Sequence, residues 1–333
     1  MNGDDPLSLA QALVGGDRGA LARAITLIES GRDEDREAAV RLLEAIARTP
    51  GASHRVGISG PPGVGKSTFI DAFGMALVEA GHGVAVLAID PSSMRTGGSI
   101  LGDKTRMARL SREEAAFIRP SPAQGVLGGV AARTSEVVRL CEAAGFDRIV
   151  IETVGVGQSE IDVADLVDTL VVLVAAGGGD ELQGIKRGLL ECTDVLVVPK
   201  ADGEHVAAAA RARADYTQAL AYIEPRHAGW VVPCLECSVI EGRGVSEVMG
   251  AIEDHGAMLE TTGAWDRQRA AQRVGWTTAA LHDELRRAVD GDARVQSRLH
   301  ALTSAIESGT MTPEAAASEL LAVFRAATGR VRV

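Results

Sequence analysis

The chain of 333 residues carries 34 Lys and Arg against 45 Asp and Glu, a formal net charge of -11 at pH 7. That balance repels nucleic-acid phosphates and anionic membrane surfaces, which excludes general nucleic-acid binding. Hydrophobic residues at 46% with charged residues at 24% exclude a largely disordered chain, and aromatics at 3% leave little for base-stacking platforms.

At roughly 150 residues per domain, the length allows two domains or one large α/β domain with helical additions. The chain starts Met1-Asn2-Gly3-Asp4-Asp5, without the basic region and apolar stretch of a secretion signal, so a cytoplasmic location is expected. Four cysteines in a chain this long are no disulfide scaffold. Residues 1–52 read as a helical extension, with Leu9, Leu13, Leu21, Ile25 and Ile28 at helical spacing until Pro50-Gly51 breaks the pattern.

From Arg55 short β-rich runs alternate with amphipathic stretches. Strands are predicted at Arg55–Ile58, Val84–Ile89, Arg148–Glu152, Leu170–Ala175, Val195–Val198 and Trp230–Val232. Strands separated by helix-length segments predict a mainly parallel, doubly wound sheet over 53–258. The apolar run around Leu170 to Ala176 is far short of the ~18 to 20 residues that span a bilayer, and no membrane association is expected. Beyond residue 258 the β signals stop, and Trp265–Val289, Ala293–Ile306 and Pro313–Ala327 carry helical patterns. The segment 259–333 is expected to be a helical tail, packed on its own sheet or serving an oligomer interface.

The segment Gly60-Pro61-Pro62-Gly63-Val64-Gly65-Lys66-Ser67 satisfies the full Walker A pattern between a strand-like and a helix-like run. Backbone N–H groups of the glycine turn and of the helix start can surround a β-phosphate. Lys66 would bridge the β- and γ-phosphates, Ser67 would ligate Mg²⁺, and Thr68 follows in the same helix start. A nucleoside triphosphate is the expected ligand.

Ligands of such sheets lie at the carboxyl edge. Asp90 ends one predicted strand, Asp103 lies in the loop beyond it, and Glu152 ends another. Each can hold Mg²⁺ directly or through its waters, or simply cap the next turn. Glu152-Thr153-Val154-Gly155 has acid-x-x-Gly spacing, which suits Gly155 to sense a γ-phosphate. Pro199-Lys200-Ala201-Asp202 stands where a GTPase carries Asn-Lys-x-Asp. The Asp202 carboxylate can accept both the N1 and N2 hydrogens of guanine, a donor pair that adenine lacks. Pro199 removes the asparagine amide that would tie the nucleotide loops together. Ser238, Val239 and Ile240 follow Cys237 where a backbone N–H would meet guanine O6.

Taken together with the stretch Asp90-Pro91-Ser92-Ser93 through Arg95 to Met107, with Glu152 to Ser159 and with Gly179 to Lys186, the motifs resemble the cobalamin-mutase-associated GTPases of the MeaB group, to which the methylmalonic aciduria type A protein and ArgK-type proteins belong. The resemblance covers roughly residues 20 to 260. It implies a P-loop GTPase of the class of signal-recognition-particle and nickel-insertion GTPases, homodimeric through its C-terminal arm. It also implies that Asp90, Asp103 and Glu152 surround Mg²⁺ and that Lys186 approaches GTP or GDP when a partner docks. From the residues alone, Asp180, Glu181 and Lys186 equally suit a solvated helix start. The implied partner is an adenosylcobalamin-dependent acyl-CoA mutase, methylmalonyl-CoA mutase foremost, with a cob(I)alamin adenosyltransferase as a further one. The chain lacks the Asp-x-His-x-x-Gly pattern that supplies cobalt with a histidine, so adenosylcobalamin would be met only on the mutase.

Two other functions fit parts of the sequence. Cys234-Leu235-Glu236-Cys237 places two thiols at a chelating spacing, as a metallochaperone GTPase would need, although the seven histidines are scattered along the chain. An ATP-using small-molecule kinase fits Pro199.

Overall fold

The computed structural model describes residues 5–30, 32–49, 53–90, 107–122, 127–153, 163–176 and 187–328. Three helices lead, α1 (Pro6–Val14), α2 (Arg18–Glu29) and α3 (Asp33–Ile46). Asp5 and Asp17 cap the first two by accepting from the backbone N–H of Ser8 and Ala20, which satisfies a donor that the helix start leaves open. Their apolar stripe, including Leu13, Leu21, Ile25 and Leu42, is fully buried.

The α/β part follows as β1 (His54–Ser59), α4 (Lys66–Glu79), β2 (Val84–Asp90), β3 (Ala116–Pro122), α5 (Leu127–Ala143), β4 (Arg148–Thr153), β5 (Thr169–Leu173), α6 (Arg187–Glu191), β6 (Val195–Val198), α7 (Val206–Leu220), β7 (Cys234–Glu236) and α8 (Val245–Thr261). The sheet runs β3-β2-β4-β1-β5-β6-β7, and every pairing is parallel. Alternate residues feed opposite faces: Ala85, Leu87, Ile149 and Ile151 enter one apolar core with α1–α3, α5 and α7, whereas Val84, Val86 and Val150 enter the other with α4 and α8. This is the doubly wound α/β sheet that the alternating pattern predicts.

Two strand expectations need correction. Ala116–Pro122 is an edge strand paired to β2 that the sequence reading passes over, because Pro120 and Pro122 mask its β character. The last strand is Cys234–Glu236, paired to β6, and not Trp230–Val232. That segment instead forms a loop in which the indole of Trp230 donates to Asp194 O at 2.8 Å. The edge β3 is covered from the N-terminal helices, since the Arg18 guanidinium donates to the carbonyls of Glu114 and Ala116.

Two compact units are present, residues 1–276 and 277–333. The helix α9 (Ala264–Asp290) contributes to the first unit through Trp276. There Arg269 Nη2 meets the buried Asp168 Oδ2 at 2.7 Å, and Gln272 Nε2 donates to Val167 O at 2.8 Å. Arg55, inside the same network, pairs with Glu142 at 2.8 Å and lies over the Trp276 ring. In the second unit α10 (Ala293–Glu307) and α11 (Pro313–Thr328) bury Val295, Leu302 and Ala316, and Arg298 pairs with Glu319. Among the described residues no helix is long and apolar enough to cross a membrane.

Candidate functional site

The carboxyl edge of the sheet collects the charged residues that the sequence singles out. Strand β1 stops at Ser59 and the chain turns sharply at Gly60, where a Cβ would lie 2.4 Å from Leu173 O. Gly60, Gly63 and Gly65 all have positive φ, at 148°, 78° and 108°, so the turn requires glycine at each. Gly65 caps α4, and its carbonyl accepts the first helical bond from Phe69 N at 2.9 Å. The N–H groups at this helix start, together with the positive end of the helix dipole, make an anion cradle.

Lys66 is buried and its Nζ donates to Gly60 O at 2.7 Å and Pro61 O at 3.1 Å, so the ammonium lies folded across the loop it serves. Ser67 Oγ donates to Glu152 Oε1 at 3.0 Å. Strand pairing brings the two together, because Glu152 at the end of β4 is in register with Ile58 of β1, just before the loop. Two oxygens bound side by side on an octahedral Mg²⁺ at 2.0–2.1 Å stand about 2.9 Å apart, so this hydroxyl and carboxylate fit such an ion. Thr153 Oγ1 donates to Ser59 Oγ at 3.1 Å and fixes the neighbouring strand ends against each other.

The loop after β6 carries the base-recognition candidates. Lys200 adopts a left-handed backbone at φ 58°, a conformation that costs a non-glycine residue on the order of 1 kcal/mol. Its Nζ donates to Gly63 O at 2.8 Å. Asp202 Oδ2 accepts from the buried Ser238 Oγ at 2.6 Å, Ala201 N donates to Cys237 O at 3.0 Å, and Arg243 Nη2 donates to Ala201 O at 2.8 Å. The loops that an asparagine at position 199 would join are thus joined by Lys200, Ser238 and Arg243. Val239 packs on the core whereas Ile240 is 85% exposed.

Of the site residues read from the sequence, 60–68, Glu152, Lys200, Asp202 and 238–240 converge on this edge. Asp90 closes β2 at the same edge, as far as its backbone shows. Asp103, Gly155 and Lys186 lie outside the described residues. The Cys234–Cys237 pair joins no cluster of metal-binding groups among the described residues, and burial pushes both thiols up to about 11, against the thiolate a metal needs. One cluster the sequence reading missed is buried Asp194 with His227 and His255, at the opposite edge of the sheet. Their separations in sequence carry no motif, so only the fold reveals them.

A glycine cradle between β1 and α4, a lysine across it, and a serine facing a strand-end carboxylate define a P-loop nucleotide-hydrolysing protein. The model of the family "Methylmalonyl Co-A mutase-associated GTPase MeaB" matches residues 21–294, and the chain belongs to this family. It is a GTPase that binds guanine nucleotides and hydrolyses GTP. It is 52% identical over 315 residues to the Probable GTPase Rv1496 of Mycobacterium tuberculosis, covering 95% of this chain and 94% of that protein. It is also 42% identical over 327 residues to the mitochondrial Methylmalonic aciduria type A homolog of Mus musculus, covering 95% and 79% of the two chains. Among solved structures, one described as LAO/AO transport system kinase superposes with a TM-score of 0.74 at 35% identity, over 98% of this chain and 99% of that one.

Proposed function

We propose that this GTPase is a chaperone for an adenosylcobalamin-dependent acyl-CoA mutase, methylmalonyl-CoA mutase foremost, and that GTP hydrolysis times the admission and protection of the mutase's cofactor. The family's description as mutase-associated, together with the mouse relative's name, supports the partner. The single observation that supports a timed switch is the contact of Ser67 with Glu152, which ties the phosphate loop to the strand that leads into Gly155.

In this reading the amides of 60–67 hold the β-phosphate. Lys66 exchanges its two loop carbonyls for β- and γ-phosphate oxygens, which holds positive charge where negative charge develops in transfer. Ser67 and Glu152, with Asp90 and Asp103, would hold Mg²⁺, whose chemistry when bound is to neutralise and orient the phosphate oxygens. Asp202 accepts the N1 and N2 hydrogens of guanine, the Lys200 stem lies along the base, and the backbone at 238–240 meets O6. Gly155 senses the γ-phosphate, and Lys186 approaches it on partner docking.

The helical extension 1–52, the GTPase domain 53–258 and the arm 259–333 form the proposed organisation. Leu281, Leu285, Leu299 and Leu321 are each between 39% and 56% exposed, which supports a homodimer through that arm. Cytoplasmic residence and a cob(I)alamin adenosyltransferase as second partner complete the reading.

Size-exclusion chromatography of the chain with a purified mutase tests it. Co-elution with a non-hydrolysable GTP analogue, and a shifted amount with GDP, is expected. Separate elution under every nucleotide would refute the mutase partnership while leaving the GTPase intact.

A further inference from the structure

Three buried polar atoms converge at the amino-terminal edge of the sheet without a hydrogen-bond partner: Asp194 Oδ1, His227 Nε2 and His255 Nε2. Asp194 precedes β6 and its side chain is 1% exposed, His255 on α8 is fully buried, and His227 lies in the loop between α7 and β7. His255 Nε2 stands 3.4 Å from Asp194 Oδ1 and His227 Nε2 stands 3.8 Å from it. One potential ligand atom from each of the three residues lies within 4.8 Å of the other two. Buried polar atoms are normally hydrogen-bonded, so such a cluster calls for a common partner.

We propose that Asp194, His227 and His255 bind a divalent transition-metal ion of the Zn²⁺ type. Donors at 2.0–2.1 Å around a tetrahedral ion stand about 3.4 Å apart, close to the observed separations, and two imidazoles with one carboxylate are a donor set that zinc accepts. Three protein donors leave one position to an exogenous ligand.

The surroundings orient the donors for this task. Asp194 Oδ2 is held by Leu170 N at 2.8 Å, with Arg226 Nη1 at 3.6 Å, which leaves Oδ1 for the ion. Thr169 Oγ1 lies 2.7 Å from His255 Nδ1 and 2.8 Å from His54 Nε2. One ordering of protons satisfies this chain and frees the ligand atom. His255 Nδ1–H donates to Thr169, the threonine hydroxyl donates to His54 Nε2, and His255 Nε2 keeps its lone pair for a metal.

The site lies at the opposite edge from the phosphate loop. His54 opens β1 and Ser59 closes it, a span of about 17 Å at roughly 3.3 Å per residue. The ion would tie the start of β6 to α8 and to the loop before β7, the elements whose far ends present Lys200, Asp202 and Ser238. Its role is to hold these segments together at the edge away from the nucleotide, and it does not depend on the mutase reading.

The test is equilibrium dialysis of the chelator-stripped full chain against Zn²⁺ with metal quantified by mass spectrometry, alongside the Co²⁺ absorption spectrum. One equivalent per chain is expected, with a higher Tm and cobalt ligand-field bands lacking a thiolate charge-transfer band. His227→Gln, at a partly exposed position outside the nucleotide site, should weaken binding at least about 100-fold with GTP hydrolysis unchanged. Thr169→Val should weaken it about 10- to 100-fold, as loss of a ligand-orienting hydrogen bond does. No uptake by the stripped chain, equal uptake by His227→Gln, or a cobalt–thiolate band would each overturn the proposal.

Discussion

Ser67 Oγ donates to Glu152 Oε1 across 3.0 Å, joining the first turn of α4 to the carboxyl end of β4. The two residues are far apart in sequence but meet because β1 and β4 are parallel neighbours in register. If this pair holds Mg²⁺, Glu152→Gln removes a charge from the metal's surroundings without removing the hydrogen-bond acceptor. The Mg²⁺ concentration for half-maximal hydrolysis should then rise at least about tenfold while the fold persists. An unchanged magnesium dependence would remove Glu152 from the ion's surroundings.

Lys66→Ala should lower GTP hydrolysis by at least about 100-fold, the scale of losing a positioned charge at the transferring group. The variant should fold, since Lys66 bonds the carbonyls of Gly60 and Pro61 and belongs to neither apolar core. Steady-state phosphate release checks this, and retention of full activity would contradict the phosphate-loop assignment.

Asp202→Asn should exchange base preference. Its amide carbonyl can still accept from Ser238 Oγ, but its NH₂ now faces the guanine N1 and N2 hydrogens, donor against donor. KM for GTP should rise by roughly two orders of magnitude, and xanthosine triphosphate, with an oxygen at position 2, should become the better substrate. Retained GTP preference would place base selection elsewhere.

The fold was largely legible because strand and helix periods alternate cleanly from Arg55 onward and the glycine loop occupies the turn between β1 and α4. The candidate phosphate and base residues were legible for a related reason: each sits within a few positions of a strand end. Two prolines hide β3, and Trp230 is β-prone by residue type although its indole bonds Asp194 O from a loop. The Asp194–His227–His255 cluster was invisible because parallel strands bring distant segments together with no local spacing to announce it. The loops that Pro199 leaves without an asparagine amide are joined by bonds no motif encodes, chiefly those of Lys200 to Gly63 and of Ser238 to Asp202.

Asp168 is 1% exposed and meets Arg269 at 2.7 Å, while its other contacts include the backbone N–H of Arg55. Asp168→Ala removes the nearest carboxylate from a largely buried guanidinium and should cost about 3–5 kcal/mol. In a unit of this size that corresponds to a Tm lower by roughly 10 °C, read by circular dichroism. Because Asp168 opens toward the amino-terminal edge, GTP affinity of the remaining folded protein should be unchanged.

The thiols of Cys234 and Cys237 should be poor nucleophiles at neutral pH. Burial pushes both up to about 11, so the thiolate fraction is small at pH 7 and grows as pH rises toward that value. Alkylation resolved by peptide mass spectrometry should be slow at pH 7 and accelerate about tenfold per pH unit. Rapid modification at pH 7 would revive the thiols as metal-carrying groups.

The most direct test of the central claim is phosphate release from GTP and from ATP with Mg²⁺, each with and without an adenosylcobalamin-dependent acyl-CoA mutase from the same source. The account predicts slow turnover selective for GTP that rises when the mutase is added. Turnover that is indifferent to the mutase, or equal use of ATP, would contradict it.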